Sequence, residues 1–123
     1  MAAVHSEDTG PEMAVRKIVH ALGYRYRLHV GKLPGKPDLV FPSRRKIVFV
    51  HGCFWHRHRS CRYATSPKTR KGFWLAKFTA NVQRDRRAKR ELRQMGWTVL
   101  TVWQCELKKA ERLAGRLNDF LSN

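Results

Sequence analysis

The segment Lys46–Cys61, KIVFVHGCFWHRHRSC, gathers the side chains best suited to chemistry. His51, Cys53, His56, His58 and Cys61 crowd together there, with Phe54 and Trp55 among them. Imidazole exchanges protons near neutral pH, and imidazole with thiolate binds zinc. The apolar run Ile47-Val48-Phe49-Val50 ahead of them reads as a buried strand, broken at Gly52. A ligand-rich segment at the mouth of such a strand is either a working site or a metal-stapled loop without chemistry. This stretch alone leaves both readings open.

Two carboxylates bear on the choice. Asp38 opens the short apolar strand Leu39-Val40-Phe41, and Pro42-Ser43-Arg44-Arg45 turns the chain into the strand that ends at His51. A carboxylate there could hold Mg²⁺, which takes oxygen ligands and keeps waters. Such an ion polarises a phosphodiester and lowers the pKa of water. Glu12 stands three residues after Thr9, the spacing of a capping box. It is read equally as a helix cap and as an active-site carboxylate. The cysteines number three, and the absence of a secretory leader argues against disulfides. Cys53, His58 and Cys61 offer three ligands in one loop, and Cys105 could return from the end of the last strand. That set would make a closed, structural zinc site; the alternative is three buried free thiols.

The elements that must position these groups follow from periodicity. Residues 1–8 are polar and read as frayed. A helix starts at Thr9-Gly10-Pro11-Glu12, carries Met13, Ile18, Val19 and Leu22 inward, and stops at Gly23. Tyr24, Tyr26 and Leu28 alternate with Arg25, Arg27 and His29, the period of a half-buried strand. Gly31–Pro37 is a loop. After the ligand-rich segment, Arg62–Lys71 is basic and irregular. Helical spacing then runs through Phe73, Trp74, Phe78, Val82, Ala88, Leu92 and Met95 to Gly96. Trp97–Trp103 is a strand, and a last helix from about Lys108 uses Ala110, Leu113, Leu117 and Leu121 as its core stripe. The order α-β-β-β-α-β-α predicts an α/β fold, a mixed sheet flanked by helices, in one domain over 1–123.

Lys and Arg number 26 against 9 Asp and Glu, a net charge of +17 spread along the chain. That imbalance favours a folded surface that meets a polyanion. No apolar run approaches membrane-spanning length, and no leader or transit peptide is evident, so the cytoplasm is expected and a membrane is not.

The pair Pro37-Asp38 before a hairpin resembles the PD-(D/E)xK nuclease core, although Phe49-Val50-His51 stands where that pattern has its second acid and lysine. LPGKPDLVF, VFVHGCFWH, FWLAKFTANVQRD and GWTVLTVWQCEL, in that order from about Asp8-Thr9 to Leu107, closely resemble the very-short-patch repair (Vsr) DNA mismatch endonucleases. The resemblance implies a restriction-endonuclease-like fold with a structural zinc. It also implies Mg²⁺-dependent nicking of double-stranded DNA 5′ to the thymine of a T·G mismatch, in the bacterial cytoplasm or nucleoid and alongside other mismatch-repair proteins.

Carried over by motif, Asp38 and the backbone carbonyl of Val50 would hold Mg²⁺. His56 would orient or deprotonate the attacking water, and His51 would contact the scissile phosphate or a water at the metal. Glu12 would act through water. Cys53, His58, Cys61 and Cys105 would hold the zinc, with one residue inserted before Cys61 relative to the commonest pattern. Phe54, Trp55 and Trp74 would wedge into DNA beside the mismatch, near Lys77 and Asn81. On residue type alone those aromatics read as core, and Lys77 and Asn81 as a solvated helix face. The family's longer basic segment ahead of the first helix has only MAAVHSED as its counterpart here, which bears on affinity and discrimination more than on cleavage. Two other readings remain: a related nuclease without mismatch preference, and a zinc-stabilised DNA-binding module without catalysis.

Overall fold

The computed structural model describes residues 10–28, 30–59 and 61–123. The proposed cap at Thr9, the segment before it, and His29 lie outside the described residues. Helix α1 spans Gly10–Ala21, strand β1 Arg27–Leu28, β2 Leu39–Phe41, β3 Lys46–His51, helix α2 Lys71–Gln94, strand β4 Thr98–Trp103 and helix α3 Ala110–Ser122. Short 3₁₀ turns at Pro42–Arg44 and Gln104–Lys109 join β2 to β3 and β4 to α3. The four strands lie in the order β1-β2-β3-β4. The first three are antiparallel and β4 runs parallel to β3, with His51 opposite Trp103.

Alternation along β2 and β3 sends residues to opposite faces and gives each face its own core. Leu39, Phe41, Val48 and Val102 pack with Val15 and Val19 of α1 and Leu113, Leu117 and Leu121 of α3. Val40, Ile47 and Phe49 pack with Leu92 and Trp97 on the side of α2. The mixed sheet is therefore sandwiched by helices. Gly35 lets the 31–37 loop close onto α2. Its φ is +75°, and a Cβ there would lie 2.6 Å from that of Ala88, so both its conformation and its contact require glycine.

The structure departs from the sequence reading at the ends of elements. β1 keeps only two residues, both exposed, and Tyr26 instead meets Phe41 edge-on at 6.3 Å. Met13 is exposed and Val15 is buried in its place, because the inward stripe of α1 runs through Glu12, Val15 and Val19. Ala110 keeps the spacing of the α3 stripe but is exposed, as the first residue of the helix. On α2 only Phe78, Ala88 and Leu92 are buried, while Phe73 is exposed, as is Met95 just past the end of the helix. No helix among the described residues is long and apolar enough to cross a membrane.

Candidate active site and metal centre

Parallel pairing sets the C-terminal ends of β3 and β4 side by side, and both clusters form there. His51 is the last residue of β3 and shares the Ile47 and Phe49 face, which directs it toward α2. The loop after Gly52 curls back, with His56 N–H donating to the Gly52 carbonyl at 3.1 Å. The His56 ring then stacks on His51, centroids 3.9 Å apart and planes 7° apart. On its other side His56 Nδ1 meets Asp85 Oδ2 of α2 at 2.6 Å.

Burial, and next the neighbouring His56, push His51 down to about 3, so its ring is neutral. For Asp85, burial acts to raise the carboxyl. The hydrogen bond with His56, chief among the opposing influences, outweighs it and holds the group below the usual carboxylate range. Ligand atoms of His51, His56 and Asp85 lie within 4.8 Å of one another. Stacked rings set their lone pairs side by side rather than converging on one point, so this geometry suits proton handling better than metal capture.

Asp38 sits at the neighbouring strand end. Its Oδ2 accepts the Val50 N–H at 2.6 Å, which fixes the carboxylate beside the backbone of Val50. Carboxylate and carbonyl are hard oxygen donors, the set a cation such as Mg²⁺ selects. Glu12 is buried on α1 and ion-paired with Arg16, one turn along the helix. The structure places it on α1, not within the histidine–Asp85 cluster.

The second cluster is Cys53, His58, Cys61 and Cys105, whose ligand atoms also lie within 4.8 Å of one another. His58 Nδ1 is 3.7 Å from Cys53 Sγ and 3.4 Å from Cys105 Sγ. A tetrahedral zinc with its usual bond lengths sets such S···N edges at roughly 3.6 Å. The donor set and its spacing fit zinc. Burial first, with crowding by the other thiols, pushes the Cys53 thiol up to about 12. Ionised thiols would be stable in this cluster only around a cation. The two clusters share a wall: Trp103 lies flat on His58 at 4.2 Å and edge-on to His51 at 5.4 Å.

Phe54 and Trp55, in the loop after Gly52, form an aromatic cluster with Trp74 near the start of α2. Phe54 meets Trp55 at 5.2 Å and Trp74 at 5.8 Å, and Trp55 meets Trp74 at 5.6 Å. All three are partly exposed. Edge-to-face pairs contribute about 0.5–1.5 kcal/mol each beyond burial, so the cluster holds together while open to solvent. Asn81 Nδ2 donates to the Trp55 carbonyl at 3.3 Å. Lys77 lies over the Phe73 ring at 5.3 Å.

Two residues escaped sequence reasoning. Asp85 lay inside a quoted motif without a role. Its signal was the core stripe of α2, because it falls seven residues from both Phe78 and Leu92 and so faces inward. It is also the only acid from Arg62 to Arg90. Arg57 is the other. It adopts φ +52°, donates to the carbonyls of Phe54, Ala64 and Thr65, and lays its guanidinium 4.0 Å from the Phe78 ring centroid. No sequence pattern announces such a staple.

The family model described as DNA mismatch endonuclease Vsr matches residues 1–62. The chain is 51% identical to the type II nicking enzyme V.XorIIP of Xanthomonas oryzae pv. oryzae, over 98% of this chain and 88% of that one. It is 43% identical to the type II nicking enzyme V.NmeAIP of Neisseria meningitidis, over 96% and 84%. It is 42% identical to the DNA mismatch endonuclease Vsr of Escherichia coli, over 92% and 72%. Among solved structures, the catalytic domain of the homing endonuclease I-Bth0305I superposes with a TM-score of 0.65 at 21% identity, covering 92% of this chain and 94% of that one. That likeness shows a shared fold.

Proposed function

The chain belongs to the Vsr DNA mismatch endonuclease family, and we propose that it is a DNA endonuclease that nicks one strand of a duplex 5′ of the thymine in a T·G mismatch, opening very-short-patch repair. The observation that carries the reading is the 2.6 Å contact from His56 to Asp85, made beside His51 and at the strand end where Asp38 is fixed. A carboxylate holding one imidazole nitrogen sets the ring's tautomer and orientation and leaves the other nitrogen to take a proton.

In this reading His56 removes the proton of the attacking water. The water oxygen bonds to phosphorus, one P–O ester bond breaks, and the departing oxygen is protonated in turn. Asp85 positions His56 and balances the imidazolium that forms. His51, neutral and buried, can donate a hydrogen bond to a phosphate oxygen without competing for that proton. When bound, a divalent cation held by Asp38 and the Val50 carbonyl supplies Lewis-acid polarisation of the phosphodiester. Glu12 completes the acidic set from α1 through water. A zinc held by Cys53, His58, Cys61 and Cys105 would fasten the loop that carries His56, Phe54 and Trp55. The cellular setting is the bacterial cytoplasm or nucleoid, with other mismatch-repair proteins acting on the same DNA.

Mismatch selection falls to Phe54, Trp55 and Trp74. Opening a base step for an inserted ring costs a few kcal/mol, and a mispaired step costs less. Partial exposure on a tied-down loop supports this, since a rigid wedge loses little ordering entropy on insertion. Lys77 and Asn81 would stand close to the mispaired bases. The test is the nicking rate on T·G and matched duplexes, with Mg²⁺ or with EDTA, for the wild type and Trp55→Ala. We expect Mg²⁺-dependent nicking that favours T·G, and a loss in Trp55→Ala much larger than its loss of thermal stability. Equal rates on both duplexes would point to a nuclease without mismatch preference, and binding without nicking to a non-catalytic module.

A further inference from the structure

A second basic site lies beyond the zinc cluster, away from the histidines. Arg62, Tyr63, Lys108, Lys109 and Arg112 line a cavity of about 370 Å³ that abuts Cys105. Lys108 and Arg62 both stand over the Tyr63 ring, at 4.5 and 4.9 Å from its centroid, and Arg62 also donates to the Tyr63 hydroxyl at 2.8 Å. The only carboxylate in the lining is Glu106. Its oxygens are taken by Arg116, at 2.6 Å, and by the Trp103 N–H, at 2.9 Å. Among the described residues, none of the four lining cations is in an ion pair. Four like charges around one cavity repel one another unless an anion joins them.

The position of the cavity identifies the anion. It opens at the same edge of the sheet as His51, because the 3₁₀ turn Gln104–Lys109 leaves β4 where His51 ends β3. The Trp103 and His58 rings and the Cys105 thiol bridge the short distance between them. A polyanion lying across the histidines must continue past this cavity or turn away from it. We propose that the cavity is a backbone clamp, in which Arg62, Lys108, Lys109 and Arg112 hold a DNA phosphate a few nucleotides from the scissile bond, with the Tyr63 hydroxyl turned toward it. The clamp would fix the register of the strand and so present the correct phosphodiester to His56. This inference rests on the endonuclease reading above.

The test uses the full chain and the double variant Lys108→Gln/Arg112→Gln, with melting temperature and zinc content measured for both. Affinity for a short T·G duplex is followed across salt concentrations, and a neutral methylphosphonate is then walked along each strand. We expect the variant to bind about tenfold more weakly at moderate salt and to lose about one to two from the slope of log affinity against log salt. We further expect a methylphosphonate a few nucleotides from the nick to weaken the wild type and not the variant. That position can be sought in the wild type alone, so the proposal stays testable should the double variant fail to fold. A wild type that nicks but shows no sensitive position away from the nick overturns the clamp, as does a variant whose salt slope and methylphosphonate profile match it. A wild type that neither binds nor nicks duplex removes the endonuclease reading, and the clamp with it.

Discussion

His56 is the residue whose environment says most about its work. It is held between a neutral, stacked His51 and the ionised Asp85. Asp85→Asn keeps the size of the side chain but removes the charge that orients and balances the imidazole. Nicking should fall roughly 10²–10⁴-fold, the range for a mispositioned general base. Stability supplies an independent readout. Because the Asp85 carboxyl is held below its ordinary value of 3.8, its stabilising contribution is present above that pH and is lost as pH falls through the depressed value. The variant should melt lower than the wild type at neutral pH, and the gap should close in acid. A gap that persisted or widened in acid would show that the carboxylate is not what stabilises the contact. The carboxylate at Asp38 and the histidines at 51 and 56 were legible as residue types at strand and loop positions. Asp85 was not, because the partner of a histidine across a fold leaves no local spacing to read.

At the scale of elements, the loop 52–61 is too short and too polar to hold its shape by burial alone. Cys53 is its only buried residue, and the remainder are at least partly exposed among those described. The Cys₃His cluster, the Arg57 bonds to Phe54, Ala64 and Thr65, and the stacking of His58 on Trp103 fix it instead. Purified protein should therefore contain about one zinc per chain. Cys105→Ser should lower the melting temperature and reduce nicking together, because Cys105 anchors the loop that carries His56 and the other three ligands to the turn after β4. Metal analysis finding no zinc in unchelated protein would overturn this. The central elements were readable from sequence because β3, β4 and the middle of α2 are apolar at clear periods. Their ends were not. At the start of α2 Phe73 is exposed and Trp74 packs on Phe54, Trp55 and Phe78, so both continue the helical pattern outside the two cores of the sheet. Val15 stands three, four and seven residues before Ile18, Val19 and Leu22, so the helical period itself selects it over Met13, and it packs with Leu39 and Leu117 in the core. The Cys₃His cluster was readable as a set because thiols and imidazole announce themselves by type, whereas the staple at Arg57 depends on carbonyl groups that no side-chain pattern encodes.

At the scale of the molecule, two cores back one sheet, and the edge where β3 and β4 both end carries everything proposed to meet DNA. Asp38, the histidines, the Cys₃His cluster and the aromatics gather there, and the cavity beside Cys105 extends the basic surface past that cluster. The net charge of +17 supplies attraction to a phosphate backbone without sequence preference. Selectivity and hydrolysis then have to come from the small set of groups at the edge. Asp38 is the member whose replacement separates binding from chemistry. Asn at that position can still accept the Val50 N–H through its carbonyl oxygen, which keeps the strand ends in place. It removes a negative charge facing phosphates, so it gives no reason for weaker binding. The most direct measurement is the nicking of a T·G duplex by Asp38→Asn in Mg²⁺, read beside its affinity for the same duplex. The account predicts affinity equal to or above that of the wild type with nicking abolished, and an Asp38→Asn chain that nicks at the wild-type rate would contradict it.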